Sequence, residues 1–218
     1  MENLKNTNCW YADVCTDDCN GCTVYPQLLW QFENSGLPKT KYAPIKLIPQ
    51  RADREAFKHL ADIRKNIDEF VESGKNLYIC GYNPGNGKTS WAIKMLQTYF
   101  SYVAEGSIWQ VRGMFVSVPT LLLQFKDFNN PMTTEYKTNL QNTDLLILDD
   151  VAVTGLTQFD YLQLFSLIDQ RMLANKSIIF TSNIIRLNDL EDAVGARLAS
   201  RIWRNSEVVE IKGGDMRD

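Results

Sequence analysis

Between residues 80 and 90 the chain reads CGYNPGNGKTS. Gly85, Gly87, Lys88 and Thr89 are the residue types that a phosphate cradle needs at the mouth of a helix. Glycines let the backbone turn through positive φ and let an anion approach closely. Backbone N–H groups then point at that anion, and the helix dipole favours it. The Lys88 ammonium supplies charge for β and γ phosphates, and the Thr89 hydroxyl supplies a ligand for Mg²⁺. Pro84 stiffens the turn, and Asn83, Asn86 and Ser90 complete the candidate cradle. One position departs from the usual G-x-x-x-x-G-K-[ST] pattern. The residue six before Lys88 is Tyr82, and the glycine falls one place earlier, at Gly81. Gly81 can absorb the tight turn one residue early, so a working nucleotide site is expected over a mere glycine-rich turn.

A second set of groups supports that choice. The run DLLILDD places Asp149 and Asp150 at the carboxyl end of an apolar strand. A carboxylate there can hold Mg²⁺ through water, and a second can orient an attacking water. Taken alone, the pair also suits a solvated turn. Asn183 ends the next apolar run, SIIFTSN, where it can sense a γ-phosphate or hold the attacking water. Arg197, Arg201 and Arg204 recur at i, i+4 and i+7 in GARLASRIWR, on one helix face. That stripe is either a solvated, salt-bridged face or the source of an arginine for a neighbouring subunit's γ-phosphate.

These residues need a scaffold, and the rest of the chain spells one. Short apolar runs at 77–80, 114–118, 144–150, 177–181 and 208–211 read as five strands. Helical patterns separate them. One runs from Asp53 through Ala56, Leu60, Ile63, Ile67 and Phe70 to a stop at Gly74. Another carries Ala92, Leu96, Tyr99, Phe100 and Val103, and further helices fall near 120–128, 133–142, 157–174 and 187–204. Alternating strands and helices predict an α/β fold with a parallel sheet covered on both faces. Residues 1–25 show neither periodicity, and LPKTKYAPIKLIP at 37–49, with three prolines, reads as an extended connector.

The 218 residues carry a net charge of -3, which excludes a polycation that coats nucleic acid. The charge is uneven. Residues 1–38 hold one basic and five acidic side chains, and residues 39–65 hold eight basic and three acidic ones. The basic stretch is either a solvated linker and helix face or a contact for nucleic acid or an acidic partner. No apolar run has the length of a membrane span, and MENLKNTN lacks the layout of a secretory signal, so a cytoplasmic protein is expected. Cys9, Cys15, Cys19 and Cys22 lie within fourteen residues as C-x5-C-x3-C-x2-C. Four thiolates suit tetrahedral Zn²⁺, with free or redox thiols and an iron–sulfur cluster as the alternatives. Cys80 reads as core, His59 as surface, and Lys126 and Lys137 as solvated lysines that can meet single-stranded DNA.

Taken in order, NPGNGKTSWA, DLLILDDVA, IIFTSN and GARLASRI, with SGLPKTKY before them and GGDMRD after, resemble the DnaC/DnaI-type helicase loaders. These are an IstB-like branch of the AAA+ ATPases, and the resemblance runs from about Ser35 to Asp218. It implies a P-loop NTPase fold with an AAA+ core: a five-stranded parallel sheet flanked by helices at 53–218, a linker at 38–52, and a small Cys-rich module at 1–37. It implies that Lys88 and Thr89 bind ATP and Mg²⁺, that Asp149 serves Mg²⁺ and that Asp150 activates water. Asn183 would be the sensor, Arg201 a finger acting in trans, and Arg217 a second sensor. The implied partners are a hexameric replicative helicase, gripped through the zinc module, single-stranded DNA, and further copies of the chain. The second acid is Asp where most AAA+ enzymes carry Glu, so slow hydrolysis is expected. The competing functions are an IstB-like transposition helper, a small P-loop kinase, and an adaptor with a vestigial nucleotide site.

Overall fold

A computed structural model describes residues 22–106, 109–127 and 132–216. The five apolar runs become β1 (Asn76–Cys80), β2 (Gly113–Ser117), β3 (Leu145–Asp149), β4 (Ser177–Ser182) and β5 (Ser206–Glu210). They pair in parallel in the order β2-β3-β4-β1-β5. The three inner strands are buried along their whole length, as parallel strands covered on both faces must be. The outer two are partly exposed.

Alternate residues of the strands face two different cores. Leu77, Ile79, Leu145, Ile147 and Ile179 pack under α1 (Val24–Asn34), α2 (Arg54–Lys65), α3 (Ile67–Glu72) and α4 (Lys88–Val103). Tyr78, Cys80, Leu146, Leu148 and Phe180 face the opposite layer. That layer holds α5 (Val118–Lys126), α6 (Thr134–Asn142), α7 (Gln158–Leu173), α8 (Leu187–Val194) and α9 (Ala196–Arg204). Among the described residues, no helix is long and apolar enough to cross a membrane.

Three differences from the sequence expectation have physical causes. The long helix after Asp53 is two, α2 and α3. The break falls at Asn66, whose side-chain amide donates to the Asp62 carbonyl and competes with the regular ladder. Pro119 sits in the first turn of α5, where its missing N–H costs nothing, so the helix starts at Val118. Helix α1 shows no apolar stripe in sequence because two of its buried residues are glutamines, Gln27 and Gln31. The Gln31 side chain donates to the Gln110 carbonyl and accepts from the Arg112 amide.

Helix α1 also contributes to the core. Leu28, Phe32 and Leu37 join the core under α4, and burying each contributes about 1.5–3 kcal/mol. Residues 24–37 therefore pack with the sheet. The connector that follows is pinned too. Buried Gln97 of α4 donates to the carbonyls of Lys41 and Ala43 and accepts from the Ile45 amide.

Candidate nucleotide-binding site

The loop of residues 81–87 joins β1 to α4 at the carboxyl end of the sheet. Here the chain leaves β1 for β2, with β3 and β4 between them, and returns later to form β5 on β1's other side. Crevices at such crossings are where open α/β sheets bind ligands. Gly85 and Gly87 take φ of 68° and 99°, a region that side chains disfavour. Gly87 leads directly into α4, whose first turn has no side-chain cap, so its amides open onto the crevice.

The displaced glycine has a steric explanation. A Cβ at Gly81 would lie 2.2 Å from the Ile211 carbonyl oxygen and 2.4 Å from Asn86 Nδ2. Close approach thus falls at Gly81, one residue before the pattern places it. Tyr82 keeps negative φ and is 78% exposed, so its side chain stands clear of the loop.

The Lys88 ammonium, buried, donates to the carbonyls of Gly81 (2.9 Å) and Asn83 (3.0 Å) and to Asn86 Oδ1 (2.9 Å). These three acceptors hold it inside the mouth of the loop. Thr89, on the first turn of α4, donates to Asp149 Oδ1 at 2.7 Å. Thr181 of β4 donates to the same oxygen at 2.7 Å. Burial pushes the Asp149 carboxyl above its ordinary value. The two hydroxyl donors and the Lys88 charge oppose that push, and the Asp150 charge adds to it. Asp150 is exposed and left-handed, with φ of 54°.

Other expected residues fall at varied places. Pro84 is exposed, and Ser90 is half-buried on the first turn of α4. Asn183 lies exposed just beyond β4, while Thr181, two residues earlier, touches the carboxylate. Arg201 of α9 forms an ion pair with Asp169 of α7 at 2.9 Å, and Arg197 lies over the Phe165 ring at 5.5 Å. Much of the arginine stripe is thus engaged with α7, and all three arginines remain exposed. Lys126 pairs with Asp160 in the first turn of α7. Lys137 is exposed. His59 is a surface residue that pairs with Glu207 of β5. Arg217, Cys9, Cys15 and Cys19 lie outside the described residues, and Cys22 at their edge is a half-buried free thiol. Among the described residues no group of three or more His, Cys, Asp or Glu could hold a metal ion.

Sequence reasoning missed a strap of residues 212–216 across the loop. The Met216 amide donates to the Gly85 carbonyl, and its side chain lies against Gly87. Asn83 donates to the carbonyls of Lys212 and Gly213. Asp53 accepts from the amides of the same two residues, and Gln50 bonds Gly214 in both directions. A narrow crevice beside the loop is lined by Leu47, Ile48, Phe57, Trp91 and Met216. Of the strap's partners, Asn83, Gly85 and Gly87 carried a sequence signal as members of the cradle.

A parallel five-stranded sheet, a glycine loop running from β1 into a helix, and paired carboxylates at the carboxyl end of β3 define a P-loop NTPase. The profile of the IstB-like ATP binding protein family matches residues 48–218, and the chain belongs to that family. No curated protein sequence matches it. Among solved structures it is similar to the DnaC helicase loader, with 24% identity over 80% of this chain and 100% of that one, at a TM-score of 0.67. DnaI is similar at 21% identity, 86% and 99% coverage, and a TM-score of 0.59. AMPPCP-bound DnaA from Aquifex aeolicus is similar at 22% identity over 76% of this chain and 48% of that one, at a TM-score of 0.58. At these identities the likeness is one of fold.

Proposed function

We propose that this protein is an ATP-controlled loader that binds a replicative DNA helicase and helps place it on single-stranded DNA. The observation that carries the nucleotide half is the convergence of Lys88, Thr89 and Asp149 at one loop mouth, with Thr89 and Asp149 in direct hydrogen bond. The residues fit a magnesium–triphosphate. The amides of residues 85–89 would bind the phosphates, and Lys88 would turn from the loop's oxygens to those of the phosphates. Thr89 and Asp149 hold Mg²⁺, which when bound neutralises charge on the phosphates. Asp150, exposed at the end of β3, orients the attacking water, and Asn183, just beyond β4, serves as sensor. Arg201 leaves Asp169 to serve a neighbouring subunit's site, and Arg217 follows Met216, which already touches the loop. Hydrolysis is slow because Asp150 is a short carboxylate.

The helicase half is supported by the resemblance to DnaC and DnaI. In this reading Cys9, Cys15, Cys19 and Cys22 hold a structural zinc in a helicase-docking segment. The basic surface at 39–65 and Lys137 meet DNA, and copies of the chain assemble on ATP. A second reading, a transposition helper that works with a transposase, is favoured by the family match itself. Affinity capture with the full chain, with and without ATP, separates the two. The loader reading expects a hexameric helicase among the ATP-dependent partners. A transposase without helicase contradicts it.

A further inference from the structure

The turn after β3 hangs on one residue of β4. The Thr181 hydroxyl donates to Asp149 Oδ1 at 2.7 Å and accepts from the Asp150 amide at 3.0 Å. Its carbonyl accepts from the Val151 amide at 3.0 Å. Three consecutive residues, 149 to 151, are therefore tied to Thr181, which is fully buried. The middle one holds φ of 54°, a conformation that non-glycine residues disfavour and that persists where its surroundings impose it. The Asp150 amide bond to Thr181 is such an imposition, and it fixes the direction in which the Asp150 side chain leaves the strand.

Thr89 shares Asp149 Oδ1 with Thr181. The two hydroxyls have different futures. Thr89 lies on the first turn of α4, where its oxygen would serve as a ligand for the nucleotide's metal. Thr181 lies in the sheet, out of reach of any ligand, so its bond survives when Thr89 turns away. We propose that Thr181 is the positioning residue of this site, holding the Asp149 carboxylate for the metal and aiming the Asp150 carboxylate at the water. A valine would fill the same space in β4 and make neither hydroxyl bond. The proposal rests on the ATPase reading above.

The test compares ATP turnover by full-length wild type, Thr181→Ser, Thr181→Cys and Thr181→Val across a Mg²⁺ titration. Thr181→Val should lose about 10–100-fold in kcat, the usual effect of removing a group that orients a metal ligand. Its KM for ATP should stay within about twofold, because the phosphate loop is untouched. It should also need more Mg²⁺ for half-maximal rate. Thr181→Ser keeps donor and acceptor and should restore both kcat and the Mg²⁺ requirement. Serine and valine variants that are equally impaired would show a packing role and overturn the proposal, as would a valine variant with wild-type kcat and Mg²⁺ dependence. If Thr181→Val does not fold, the serine and cysteine variants decide: a serine rate well above the cysteine rate supports the proposal, and equal rates overturn it. A wild-type protein that hydrolyses no ATP overturns the ATPase reading as well, which distinguishes the two failures.

Discussion

The two ends of the sheet handle their carboxylates in opposite ways. At the amino end, Asp144 sits between Arg112, Lys176 and the Tyr99 hydroxyl. Burial by itself raises its carboxyl, but hydrogen bonds from Lys176 and Arg112 outweigh burial and hold it below the ordinary value. Beside it, fully buried Arg171 of α7 ties the end of α6 to two strands. It donates to the carbonyls of Leu140 (2.9 Å), Gln141 (3.2 Å) and Ser177 (2.8 Å) and to the Thr143 hydroxyl (3.2 Å). At the carboxyl end, burial wins, and the Asp149 carboxyl is pushed up. There the Lys88 ammonium is met by carbonyl and amide oxygens, Asp150 is left-handed, and α4 begins without a side-chain cap. At one end the carboxylate is paired with two cations. At the other, Asp149 accepts from hydroxyl donors and Lys88 donates to neutral oxygens, partners that a cation and a phosphate can replace.

Removing Arg171 should break that contrast most severely. Arg171→Leu leaves several buried carbonyls without a donor and should cost about 3–5 kcal/mol of stability, read from urea unfolding. A loss below about 1 kcal/mol would mean the amino end is no clamp. At the reactive end, Asp150→Asn should leave the unfolding midpoint nearly unchanged while turnover falls about 100-fold, the scale of a lost general base. A large loss of stability there would erase the distinction.

The amino end also makes a claim about pH. Asp144 is depressed in the folded protein, so its contribution to stability is present above the unfolded carboxylate pKa and is lost as pH falls through the folded value. The stability gap between wild type and Asp144→Asn should therefore be widest near neutral pH and close in acid. A gap that is flat with pH would remove Asp144 from the network. The smallest effect concerns Cys80, last residue of β1. Burial, then the nearby Glu210 charge, pushes its thiol up to about 12. Alkylation at pH 8 followed by peptide mapping should find it unmodified in folded protein and modified in urea. Rapid labelling of folded protein would show that the strand end opens.

The expectations that held were carried by local chemistry. Continuous apolar runs gave β1, β3 and β4 because strands buried on both faces leave no polar alternation to confuse the pattern. The phosphate loop was legible because its glycines and lysine are needed within a few residues of each other. What stayed hidden depends on partners distant in sequence. Thr181 looks like any β-branched strand residue until β3 lies beside it. Arg171 looks like a solvated helix charge, and Gln27 and Gln31 interrupt the stripe that would have marked α1. The strap at 212–216 is held by Gln50, Asp53 and Asn83, more than 120 residues away.

The account stands or falls on whether residues 85–89, Lys88 above all, grip a nucleotide. Calorimetric titration with ATP and Mg²⁺, for wild type and for Lys88→Ala, asks that directly. The account predicts saturable binding by wild type and about 10–100-fold weaker binding by the variant, with the same unfolding midpoint. Equal affinity in the two proteins, or no heat from either, would contradict it.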